Sequence, residues 1–218
     1  MVVCGRYGRM EQERVPGSWV AEETVFINWK LRELNLKVVY YGPAMAGKTT
    51  NLQYIHDRTN PQMRSGLISL KTREDRTIFF DYIQLELGEI RGLKPRFSLY
   101  TVPGQTQYAV SRKLVLQGAD GVVFVADSRS DQVSKDLWSL ASLEKYLKEA
   151  GYNLRCFPAV LQCNKQDLPK ALQPEALQVR LGWANVPCFG AVATQGSGVF
   201  DTLKAIVRQV VRQVQAQA

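Results

Sequence analysis

The chain has 218 residues and is 45% hydrophobic, 22% charged and 10% aromatic, which suits one compact α/β domain with an apolar core and excludes intrinsic disorder. Its formal charge of +8 raises nucleic-acid binding as a question, but no nucleic-acid motif accompanies it, so no nucleic acid is expected as a partner. No apolar run approaches the ~20 residues that span a bilayer. Met1-Val2-Val3 lacks both a signal-peptide core and a myristoylation glycine, and Gln215-Ala216-Gln217-Ala218 holds no prenylation cysteine; no built-in membrane anchor is expected, only transient membrane association.

Cys4, Cys156, Cys163 and Cys188 are widely spaced and His56 is the only histidine, so a zinc site is not expected and a reducing cytoplasm is. Residues 1–25 carry three basic and four acidic side chains, leaving +9 on the remainder. Part of that surplus clusters at Arg64, Lys71, Arg73 and Arg76, and again at Arg91, Lys94 and Arg96.

In chain order, residues 1–25 show no sustained periodicity and read as a poorly ordered extension, with one domain over 26–218. From Phe26 a short-period alternation predicts a strand or hairpin leading into a buried strand at Leu36–Tyr41. Further strands are expected at Phe97–Val102, Gly121–Ala126, Phe157–Cys163 and Cys188–Ala193, and an antiparallel edge strand at Ile78–Leu87. Helical spacing marks Thr50–Asp57, Ser134–Ala150 and the run from Val199 to Val214. Strand–helix alternation on this scale predicts an α/β fold, a mostly parallel sheet flanked by helices on both faces.

Directly after the first buried strand comes Gly42-Pro43-Ala44-Met45-Ala46-Gly47-Lys48-Thr49, which matches G-x-x-x-x-G-K-[ST]. Such a loop turns its amides toward phosphates, and the helix opening at Thr50 adds its dipole. Lys48 would supply a point charge to the β- and γ-phosphates and Thr49 a hydroxyl to Mg²⁺.

Asn164-Lys165-Gln166-Asp167 follows the Phe157–Cys163 strand, at the strand end where open α/β sheets bind ligands. The Asp167 carboxylate can accept N1–H and the exocyclic amine of guanine, a donor pair adenine lacks. Asn164 would hold the loop and approach the base edge, while the Lys165 stem covers the ring. In Val192-Ala193-Thr194 the Ala193 amide would meet the guanine carbonyl, with Thr194 beside it. GTP or GDP is the expected ligand. Thr101-Val102-Pro103-Gly104-Gln105 would bring the Gly104 amide to the γ-phosphate and use Gln105 to orient the attacking water. Thr101 stands where GTPases usually place a Mg²⁺-supporting Asp.

Together with Val38-Val39-Tyr40-Tyr41-Gly42-Pro43, Gly47-Lys48-Thr49-Thr50-Asn51-Leu52, Asp75-Arg76-Thr77-Ile78-Phe79-Phe80-Asp81, Ser111-Arg112-Lys113-Leu114 and Gly198-Val199-Phe200-Asp201, these stretches make the chain from Phe26 onward resemble the bacterial MglA-type small GTPases, relatives of Ras-like P-loop GTPases. The Thr at position 101 is itself a mark of that family. The resemblance implies a cell-polarity or motility switch stimulated by a roadblock (MglB-type) partner, with effectors the sequence does not identify. It implies that Arg76 is a built-in arginine finger and Thr77 a Mg²⁺-ligating switch threonine. A solvated loop arginine is the alternative for Arg76. Asp75 and Asp81 are candidates to replace the missing acidic support. Arg73 stands where the family usually has an acidic residue, and Ala44 where it usually has glycine. A Cβ at Ala44 crowds the space that Gln105 and an arginine finger share, so slow hydrolysis is expected. The other reading is a GTP-dependent scaffold with vestigial hydrolysis.

Overall fold

A computed structural model of the chain describes residues 26–28, 33–71, 77–88 and 94–217. In chain order the strands are β1 (Phe26–Asn28), β2 (Glu33–Tyr41), β3 (Ile68–Lys71), β4 (Thr77–Glu86), β5 (Lys94–Thr101), β6 (Gly121–Asp127), β7 (Ala159–Asn164) and β8 (Cys188–Ala191). The helices are α1 (Lys48–Arg58), α2 (Ala109–Leu116), α3 (Val133–Glu149), α4 (Pro174–Arg180) and α5 (Val199–Gln217).

The strands form one sheet in the order β3-β4-β5-β2-β6-β7-β8, with β1 hairpinned onto the start of β2. Pairing is parallel from β5 to β8 and antiparallel at β3–β4 and β4–β5. The antiparallel strand expected at Ile78–Leu87 is β4, but the edge lies one strand further out: β3 pairs with it through Ile68↔Tyr82 and Ser69↔Asp81, with a register shift before Lys71. A four-residue strand that ends in a bulge leaves little period-2 pattern to read.

The two faces of β2 separate the core into two layers. Leu34, Leu36, Val38 and Tyr40 pack with Leu52 and Ile55 of α1 and with Val199, Leu203, Ile206 and Val210 of α5. Val39 and Tyr41 point the other way, toward Val115 and Leu116 of α2, Leu143 and Leu147 of α3 and Leu177 of α4. With helices on both faces, β6 and β7 are buried at every position, which accounts for their unbroken apolar character. The loops after β2, β5 and β7 all leave the same end of the sheet, since these strands are parallel. That end carries the site. Helices α2 and α4 are additions to the sequence reading; they span eight and seven residues, too short to show a clear helical period.

Candidate functional site

The loop between β2 and α1 closes around its own lysine. Lys48 is buried, and its Nζ donates to Gly42 O at 3.0 Å and Pro43 O at 2.6 Å. Burial lowers its pKa from 10.5 to about 7, with Asp81 pulling the other way. Ala46 is buried, Thr49 and Thr50 are half-buried in the first turn of α1, and Ala44 is exposed. Met45 at the loop tip is 77% exposed and takes a left-handed φ of 62°. Gly47 has a φ of 105° and lies so close to the base motif that a Cβ there would fall 2.1 Å from Asn164 Nδ2.

Beside the loop sits an acidic centre supplied by β4. Asp81 is fully buried; its Oδ2 accepts from Thr49 Oγ1 at 2.5 Å and from Thr101 Oγ1 at 2.7 Å, and its Oδ1 accepts from Ser69 Oγ. Thr101 Oγ1 also accepts from the Asp81 amide at 2.9 Å. Of the two acidic candidates, Asp81 therefore reaches the P-loop threonine. Asp75, Arg73 and Arg76 lie outside the described residues. So does the Thr77 side chain, although its backbone opens β4 opposite Lys71.

On the base side, Asn164 clasps two loops. Its Nδ2 donates to Ala46 O at 2.7 Å and its Oδ1 accepts from Ala193 N at 2.9 Å. The Ala193 amide, expected to meet the guanine carbonyl, is thus held by the Asn164 side chain in this structure, where the segment after β8 lies against the end of β7. Lys165 has a φ of 68°, and its Nζ donates to Asp127 Oδ2 at 2.6 Å. Asp127 also receives Arg129 Nη2 at 2.8 Å and Nε at 3.0 Å. Burial pushes the Asp127 carboxyl up, but the Arg129 and Lys165 donors outweigh it and hold it below the usual range. Asp167 is exposed and makes no hydrogen bond or ion pair among the described residues, and Thr194 is exposed next to Ala193.

The segment after β5 lies directly on the phosphate loop. A Cβ on Gly104 would fall 2.2 Å from Ala44 N and 2.4 Å from Ala44 Cα; only glycine permits that approach. The Gln105 side chain accepts from Gln107 Nε2 at 3.1 Å. From behind, the guanidinium of buried Arg112 donates to Gln105 O and to Pro103 O, and it stacks 5.6 Å from the Trp138 ring. Arg112 and Asp127 escaped the sequence reading as site residues. Arg112 appeared only within a matching stretch, and Asp127 lies one residue past the strand expected at Gly121–Ala126.

A phosphate loop and a base loop clasped together by Asn164 at the C-terminal end of a parallel sheet define a P-loop nucleotide-binding protein of the Ras-like GTPase type. The chain belongs to the ADP-ribosylation factor family, whose profile matches residues 23–210. It is 53% identical over 189 residues to mutual gliding-motility protein MglA of Myxococcus xanthus (strain DK1622), covering 87% of this chain and 97% of that protein. It is 27% identical over 169 residues to ADP-ribosylation factor-like protein 4D of Mus musculus, covering 77% and 76% of the two chains. The chain is a small GTPase of the MglA type.

Proposed function

We propose that this chain is a GTP-hydrolysing switch of the cytoplasm that cycles between GDP and GTP states, serves gliding motility or cell polarity, and is stimulated by a roadblock (MglB-type) partner. The observation that carries the nucleotide assignment is the Asn164 clasp, which holds Ala46 of the phosphate loop and Ala193 of the base loop on one side chain. The motility assignment draws on the name of the Myxococcus relative.

Each residue then has a task. The loop amides from Ala44 to Thr50 and the Lys48 ammonium receive the phosphates. Asp167 accepts from the guanine edge, while Lys165, its ammonium anchored on Asp127, lays its stem along the ring. Gly104 offers its amide to the γ-phosphate, Gln105 orients the attacking water and Arg76 neutralises developing charge, a contribution of roughly 10³–10⁵ in rate for such an arginine. The Asp81 carboxylate gathers the hydroxyl oxygens of Thr49, Ser69 and Thr101 beside the phosphate loop, oxygen chemistry that suits the hard cation Mg²⁺. Thr49 and Thr77 would hold it and Asp81 would support it from β4. When bound, Mg²⁺ neutralises charge on the β- and γ-phosphate oxygens. GTP orders the segments around Thr77 and Gly104 into a surface that effectors read, and hydrolysis releases it.

A second reading, a GTP-dependent scaffold with vestigial hydrolysis, draws on the close approach of Gly104 to the Ala44 backbone. Position 44 is where the segment carrying Gln105 meets the phosphate loop, so an extra methyl there acts on catalytic geometry directly.

The nucleotide assignment is tested by competition binding with GDP, ADP and XDP. Wild type should select GDP, and Asp167→Asn should shift preference toward XDP. Equal affinity for ADP and GDP in the wild type would refute the base-loop assignment.

A further inference from the structure

Helices α1 and α5 each meet β7 through a polar side chain set deep in an apolar layer. Gln162 lies in the middle of β7, Asn51 in the first helical turn after the phosphate loop and Thr202 in α5, and all three are fully buried. Around them the layer consists of Val38, Leu52, Ile55, Val160 and Ile206. Asn51 and Gln162 form a reciprocal amide pair: Asn51 Nδ2 donates to Gln162 Oε1 at 2.8 Å, and Gln162 Nε2 donates to Asn51 Oδ1 at 3.0 Å.

Each end of that pair continues into a loop of the site. Asn51 Nδ2 also donates to Gly47 O at 2.9 Å, beside its own backbone N–H at 3.0 Å. Gln162 Nε2 also donates to Thr202 Oγ1 at 3.1 Å, and Thr202 Oγ1 donates to Gly198 O at 2.7 Å. Gly198 closes the loop that carries Ala193 and Thr194, whose neighbour Val192 bonds Ser197. Gln162 is two residues before Asn164, so both side chains leave the same face of β7. Asn164 grips Ala46 O directly, and Gln162 grips Gly47 O through Asn51.

An apolar trio of similar size would pack into this layer. A buried polar network with every partner in place adds direction: it permits one register of α1 and α5 against β7, where greasy contacts permit several. We propose that Gln162, acting through Asn51 and Thr202, is a positioning residue that locks the phosphate loop and the base loop to one another and thereby sets how slowly nucleotide leaves. The proposal rests on the guanine-nucleotide reading above.

The test compares wild type, Gln162→Met and the double variant Asn51→Leu/Gln162→Met in the full chain, with fluorescent mant-GDP as probe. Melting temperature and the mant-GDP dissociation rate are measured on each. Gln162→Met strands the Asn51 amide, so it should lower the melting temperature and speed dissociation by about tenfold, the worth of a buried hydrogen bond. The double variant removes both amides and keeps the volume, so its melting temperature should return toward wild type while dissociation stays about tenfold fast. A double variant that recovers the wild-type dissociation rate together with its melting temperature would show a purely structural pair and overturn the proposal. It answers even where the single variant does not fold. Wild type that fails to retain mant-GDP at all removes the guanine-nucleotide reading and the proposal with it, whereas retention by wild type with unchanged release from both variants removes the positioning role alone.

Discussion

Asp81 and Thr101 bond each other twice across β4 and β5: the Thr101 hydroxyl donates to the Asp81 carboxylate at 2.7 Å and accepts from the Asp81 amide at 2.9 Å. The carboxylate so held also takes the Thr49 hydroxyl at 2.5 Å. In the function proposed above, this carboxylate takes the place of the acid that small GTPases usually carry at the end of β5, with Thr101 orienting it. Outer-shell partners of this kind are worth about 10–100-fold in metal affinity. Asp81→Asn should therefore raise, by about that factor, the Mg²⁺ concentration that half-maximally slows mant-GDP release. A Mg²⁺ titration curve that superimposes on wild type would take Asp81 out of the metal shell.

The buried Lys48 predicts a proton linkage. In this fold its pKa lies at about 7, depressed from 10.5 by burial, and phosphate oxygens would restore its charge. Binding of GDP should then take up a proton, increasingly as pH rises from 6 to 8, and affinity should fall from pH 7 toward pH 9. For the free protein the sign is opposite. Between pH 7 and 10.5 the unfolded chain binds more protons at this lysine, so stability from this group rises with pH. Calorimetry in buffers of different ionisation enthalpy counts the protons; no uptake at pH 8 would contradict the linkage.

Asp136, fully buried in the first turn of α3, accepts from Asp127 N at 3.1 Å through Oδ1, while its Oδ2 has no hydrogen-bond partner among the described residues. Burial raises its carboxyl from 3.8 to about 7; the Asp127 N–H, Lys165 and Lys48 favour ionisation and the Asp127 carboxylate opposes it. Between those pH values the folded state holds a proton that the unfolded state has released, so stability from this group is lost as pH rises through 7. Asp136→Asn should melt several degrees above wild type at pH 8, with the gap closing toward pH 4. A pH-independent gap would mean that Asp136 does not titrate in this window.

Much of this was legible before the fold. Lys48, Asn164 and Asp167 sit in short strings whose meaning depends only on a strand before them and a turn or helix after them. Asp81 could be no more than one candidate of two, because its contacts with Thr49 and Thr101 span 32 and 20 residues of sequence and depend on strand register. Gln162 read simply as part of a buried strand, since its partner Asn51 is 111 residues away. Arg112 sat in an eight-residue helix, α2, that had no period to announce it. The Ala193 amide was assigned to the base from its motif, and its bond to Asn164 became visible only with the loop in place.

Gly104 packs against the Ala44 backbone, so a methyl group at position 44 should slow hydrolysis. Ala44→Gly should speed single-turnover hydrolysis of GTP without weakening GDP binding. Failure to accelerate would clear the methyl group of any part in slow turnover.

The most direct measurement is phosphate release from GTP-loaded protein, alone and with a roadblock-class partner, alongside Gln105→Ala. A cycling switch should release phosphate slowly alone, clearly faster with the partner, and without that acceleration in the variant. Intact GTP retained for hours in every condition would contradict it and leave the protein a GTP-dependent scaffold.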